Sequence, residues 1–248
     1  MYYPHCRKNK RNVPILSKKE INIIAERYAC DFMPQILERP QPFDIEGFIE
    51  RYLEMQLDYQ YLSNDGRYLG MTVFSDTNKV IVYIPERSQA DYIHVDHGTI
   101  IIDNALLADN QEHRYRFTLG HESGHWVFHK EYFGYDPYQL TLFEMNSPYV
   151  QCRETNQSYH SSHTKDWDEE RWMEWHADKF SAGILMPETA VRRIVKQTNS
   201  ETVDEYKNIL LISDIFNVSE QAAYLRLCDL GYIQQLKDES EYKQLSFL

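Results

Sequence analysis

The stretch RYRFTLGHESGHWVFH, Arg114 to His129, decides how this chain is read. It holds His121, Glu122 and His125 in the order H-E-x-x-H. On a helix, positions i and i+4 lie on one face, one turn apart. Two imidazoles so placed can touch one small cation. Glu122 directly follows the first, so its carboxylate reaches a water held beside that cation. The set suits zinc, which takes imidazole nitrogens at about 2.0–2.1 Å and keeps one position open in catalytic centres. The cation brings the pKa of its water down towards about 7, and a neighbouring Glu can take the proton. The same five letters also arise as two surface histidines on an amphipathic helix. Phe117, Leu119, Trp126, Val127 and Phe128 favour a helix with apolar faces to bury.

Two imidazoles and a water leave one ligand to find. The best candidate lies in WMEWHADKFSAGILMP, Trp172 to Pro187. Glu174 and Asp178 stand at i and i+4, on one face of a second helix. Glu174 can complete a His₂Glu site. Asp178, one turn on, can accept the spare N–H of a ligand histidine, as outer partners of metal sites do. Taken alone, the two carboxylates read as a solvated helix face; beside H-E-x-x-H they gain a role. His129 falls one turn beyond His125, too far along the axis to share the cation. The longer metzincin pattern fails, because Phe128 and Glu131 stand where it needs Gly and His. His176 points away from the Glu174–Asp178 face. His160 and His163 lie in a polar segment and rank below Glu174.

These two blocks carry a resemblance. RFTLGHESGHWVFH at 116–129 and EWHADKFSAGILMP at 174–187 resemble the signature blocks of the ImmA/IrrE family of metallopeptidases. The resemblance covers about 70–190 well and the rest weakly. It implies an α+β, zincin-like fold, with His121, His125 and Glu174 as zinc ligands and Glu122 as general base. It also implies an intracellular enzyme that cleaves a helix-turn-helix repressor of a phage, mobile element or stress response. Ser181 replaces the usual Ala, and His176 the usual Gln or Glu; neither is an inferred ligand.

The chain has 248 residues, enough for one sizeable core or a domain with an appendage. Aromatics make up 14%, which fits an ordered globule. The net charge of −12 argues against general binding to nucleic acid or anionic membrane. Cys6, Cys30, Cys152 and Cys228 are scattered, so no disulfide framework or zinc ribbon is signalled and a cytoplasmic setting is expected. No apolar run approaches a membrane span, and the basic start has no apolar stretch behind it.

Outward from the two blocks, residues 1–16 read as a tail. Ser17 caps a helix to about Phe32, which Pro34 ends. Asp44 caps another to about Met55. Short strands follow at Leu57–Leu62, Met71–Phe74, Lys79–Ile84 and Thr99–Ile102, with a turn at Asn64-Asp65-Gly66. They make a small, mostly antiparallel sheet packed on helices, one edge of which can take an extended substrate. The H-E-x-x-H helix runs from about Glu112 to Phe133. Residues 135–165 read as a long irregular insertion overhanging the cleft. It offers Tyr149, Tyr159, His160 and His163 as oxyanion donors, with no choice among them. Cys152 can in principle cap the cation as a thiolate; an inert loop cysteine is the plainer reading.

A metallopeptidase domain is thus expected over 17–197, a helical subdomain over 198–236 and a charged tail over 237–248. Residues 204–230 resemble a helix-turn-helix, yet Lys207 and Arg226 are its only cations. A groove-binding helix needs more, so packing or partner docking is preferred to direct nucleic-acid binding. The expected function is zinc-dependent cleavage of a protein substrate. The alternative is a non-proteolytic metal-binding regulator whose C-terminal helices bind protein or DNA. A toxin held in check by a bound regulator would share the chemistry and differ in biology.

Overall fold

The computed structural model describes residues 2–133, 149–153, 167–198 and 205–234. Tyr159, His160, His163 and the stretch 237–248 lie outside these residues. The architecture is mixed: helices with two small sheets, an α+β arrangement.

Helix α1, Lys18–Phe32, starts on a capping box. Ser17 Oγ accepts from Glu20 N at 3.3 Å, and the Glu20 carboxylate accepts from Ser17 N at 2.8 Å. Pro34, which has no N–H, opens a tight turn, Pro34–Leu37, instead of a further helical turn. Asp44 caps α2, Ile45–Gly47, through Gly47 N at 3.0 Å. The expected helix to Met55 is shorter. It widens over Phe48–Tyr52, where Leu53 N reaches Phe48 O, and Glu54 turns left-handed at φ 57°.

The strands are β1 Gln56–Gln60, β2 Tyr68–Val73, β3 Thr77–Ile84, β4 Gln89–Val95, β5 Thr99–Asp103 and β6 Tyr149–Arg153. The main sheet has the order β1-β5-β2-β6. Its β1–β5 pair is parallel and its other pairs are antiparallel. The turn at Asn64-Asp65-Gly66 therefore does not close a hairpin between β1 and β2. Thr99-Ile100-Ile101-Ile102 of β5 is buried on both faces and takes the place between them. Two strands escaped the sequence reading. β4 pairs with β3 in a separate hairpin, but its Gln89-Ala90-Asp91-Tyr92 start faces water and shows no apolar alternation. β6 lies in the stretch read as irregular. It pairs along the outer side of β2, so the outer strands of this sheet are β1 and β6.

Helix α3, Glu112–Phe133, has the expected bounds and packs against β2, β5 and the next helix. That helix, α4, Glu169–Leu185, starts at Asp168, whose carboxylate accepts from Arg171 N at 2.9 Å. After Pro187 comes α5, Glu188–Thr198, and then α6, Glu205–Phe216. Asn217 takes the left-handed turn at φ 51°, Ser219 caps α7, Glu220–Asp229, and Gly231 ends it at φ 77°. Residues 2–16, read as a tail, lie along the body. Val13 and Leu16 are buried, Tyr28 OH donates to Tyr2 O at 2.8 Å, and Lys8 pairs with Glu131. Ile209, Ile212, Phe216 and Leu227 of the C-terminal helices join the same apolar core as Ile21, Leu119 and Phe180. Among the described residues no helix is long and apolar enough to cross a membrane.

Candidate metal centre

The site is built where α3 meets α4, and small residues set their approach. A Cβ on Gly124 would lie 2.8 Å from Ala177 Cα, and one on Gly120 would lie 2.5 Å from Ser181 Oγ. Ser181 Oγ in turn donates to Phe117 O at 2.8 Å, pinning α4 to α3. Ser181 is thus satisfied inside the contact. This close packing brings side chains of α4 over the histidine face of α3.

His121 Nε2 and His125 Nε2 lie 3.0 Å apart. Glu174 spans them, with Oε2 3.4 Å from His121 Nε2 and Oε1 3.3 Å from His125 Nε2. Among the described residues these three form the group able to hold a metal ion. Asp178 Oδ1 stands 2.8 Å from His121 Nδ1. A carboxylate accepts, so this nitrogen is the donor and the neutral ring presents a bare Nε2 lone pair to Glu174. Two acceptors 3.4 Å apart repel unless a positive charge sits between them. Ligands bonded to one tetrahedral zinc at about 2.0–2.1 Å stand roughly 3.3–3.4 Å from one another. The two imidazole-to-carboxylate separations match that spacing and the imidazole pair, at 3.0 Å, is somewhat tighter, so the residues fit the cation.

Burial alone would raise the Glu174 carboxyl, but positive charge at the His125 and His121 rings outweighs it and holds it well below the usual range. It is therefore ionised and ready to ligate. Glu122 goes the other way. It is fully buried, and loss of solvent lifts its pKa above the usual range despite both imidazoles and Thr72. Thr72 Oγ1 donates to Glu122 Oε2 at 2.5 Å, while Oε1 is buried without a partner among the described residues. The strand reaches this close because residue 70 is Gly: a Cβ there would lie 2.7 Å from Glu122 Oε1. The carboxylate is thus clamped at one oxygen and open at the other.

The structure brings His121, Glu122, His125, Glu174 and Asp178 together. Tyr149 is placed only as backbone in β6, the register partner of Val73, and Cys152 as the partner of Gly70. Thr72 and Gly70 were missed. Each meets Glu122 across roughly 50 residues of chain, and no spacing rule spans that distance. His129 and His176, set aside as ligands, stack behind His125 with ring centroids 5.6 Å apart. No family model matches the chain, and no curated protein matches it.

Proposed function

We propose that the chain is a zinc-dependent endopeptidase of the zincin type. The observation that carries this reading is the convergence of two imidazole nitrogens and an ionised carboxylate beside a buried, half-clamped Glu122. When bound at His121, His125 and Glu174, zinc supplies a Lewis acid and acidifies a water. Glu122, raised by burial, is a stronger base than a solvated carboxylate and takes the proton of the attacking water. The water oxygen adds to the peptide carbonyl carbon, the C–N bond breaks, and Glu122 returns the proton to the leaving nitrogen. Thr72 keeps Oε2 fixed, so the proton shuttles through Oε1. Asp178 keeps the His121 ring in its ligating tautomer.

The ImmA/IrrE resemblance supports a substrate class: a helix-turn-helix repressor, met in the cytoplasm. Direct nucleic-acid binding by α6 and α7 fits less well. Asn217, at their turn, is held by α3: His113 Nε2 lies 3.0 Å from its Oδ1, and Arg116 Nε donates to its carbonyl at 3.0 Å. Of the two cations in 205–230, Arg226 is 1% exposed and donates inward to Asn22 and Met186 O. A packing role for this pair follows. The test is co-expression with a helix-turn-helix regulator whose gene adjoins that of this chain. Wild type should yield discrete fragments and Glu122→Gln none. An intact regulator beside zinc-loaded wild type would overturn this substrate assignment.

A further inference from the structure

Behind the candidate ligands runs a line of buried histidines that this mechanism leaves unused. His125 Nδ1 stands 3.0 Å from His129 Nδ1, and His129 Nε2 stands 3.3 Å from His176 Nδ1. His129 is 0% and His176 1% exposed. Phe128, Trp172 and Trp175 border the pair. His176 Nε2, at the far end, is buried with no partner among the described residues. A neutral imidazole carries one proton, so each ring in such a line fixes the next. If His125 offers its Nε2 lone pair to a cation, its proton is on Nδ1. His129 Nδ1 must then be bare, which puts its proton on Nε2. His176 Nδ1 accepts that proton, and His176 keeps its own on Nε2. Reversing the line puts a proton on His125 Nε2, where it blocks ligation.

We infer that His129 is a positioning residue of the metal centre, which with His176 holds His125 in the tautomer whose Nε2 lone pair is free for the cation. The inference rests on the metal-site reading above. A ligand histidine almost always gives its other N–H to an acceptor, and that acceptor is commonly a carboxylate or carbonyl. His121 follows this pattern with Asp178; His125 uses a second imidazole, one helical turn on, supported from α4. The ring separations of 3.0 and 3.3 Å each suit one N–H donating to one bare nitrogen, which is what neutral imidazoles in a line supply.

The test measures zinc affinity by competition with a chromophoric chelator for wild type, His129→Leu and His129→Asn, with far-UV circular dichroism as the check on folding. The Asn carbonyl occupies the place of His129 Nδ1 and accepts from His125; Leu cannot. His129→Leu should bind zinc about 10- to 100-fold more weakly, and His129→Asn should recover most of that loss. Nitrogen-15 NMR of zinc-loaded wild type should show His129 protonated on Nε2 and His125 on Nδ1. Zinc binding by a folded His129→Leu at wild-type strength would overturn the inference and leave the metal site standing. So would a proton on His129 Nδ1, a reading that holds even if the Leu variant does not fold. Wild type that binds no zinc would remove both readings.

Discussion

Thr72 separates the two oxygens of Glu122, and its variants weigh that arrangement. Thr72→Val keeps the shape and removes the donor. Loss of a hydrogen bond to a charged partner costs about 1.5–3 kcal/mol, so the proposed peptide cleavage should fall roughly 10- to 100-fold. Thr72→Ser keeps the hydroxyl and should retain most activity. Equal turnover by the Val and Ser variants would show that the clamp at 2.5 Å does nothing for the reaction. Asp178 acts on the metal instead. Asp178→Ala leaves His121 Nδ1 without its carboxylate and should weaken zinc binding about 10- to 100-fold, read by chelator competition. Undiminished affinity would mean that His121 is oriented by packing alone.

At the scale of elements, the contact between α3 and α4 is the critical one. Gly124→Val places atoms where Ala177 Cα already lies, at 2.8 Å from the added Cβ. Backbone cannot step aside as a flexible side chain can, so the helices must part. The expected cost is about 1–3 kcal/mol, seen as a lower denaturation midpoint, together with weaker zinc binding as Glu174 is carried away from the imidazoles. Unchanged stability and affinity would show that the close approach is not needed. These helices were legible in the chain. Ser17 caps its helix as its residue type demands, and the bounds of α3 follow from its apolar faces. The sheet was legible only in part. β5 carries a run of three isoleucines, whereas β4 is polar where it faces water and β6 sits among prolines and serines. Pairing partners were not legible at all, because β1 and β2 are set by what β5 offers, not by the turn between them.

For the whole molecule, the same separation explains what the site gave away. His121, Glu122 and His125 are local, and so is the Glu174–Asp178 spacing; one helical period reveals each set. Gly70, Thr72 and His176 enter through contacts with residues distant in the chain. Burying histidines has a consequence for the fold as well. Burial, with His125 beside it, lowers His176 to about 4, whereas an unfolded histidine titrates near 6.5. Between those values the unfolded chain binds more protons than the folded one, so stability falls as pH drops through that window. Denaturant titrations of chelator-treated protein at pH 7 and near pH 4.5 should show a steeper loss for wild type than for His176→Phe, by roughly 2.5 kcal/mol. Parallel losses in the two proteins would show that His176 accepts a proton freely in the fold.

The central claim is that residues from α3 and α4 grip one zinc ion. An anomalous difference map at the zinc edge, from crystals of zinc-loaded protein, tests it most directly. The account predicts a single strong peak within about 2.0–2.2 Å of His121 Nε2, His125 Nε2 and a Glu174 carboxylate oxygen. Zinc bound elsewhere, with no peak between these three side chains, would contradict it.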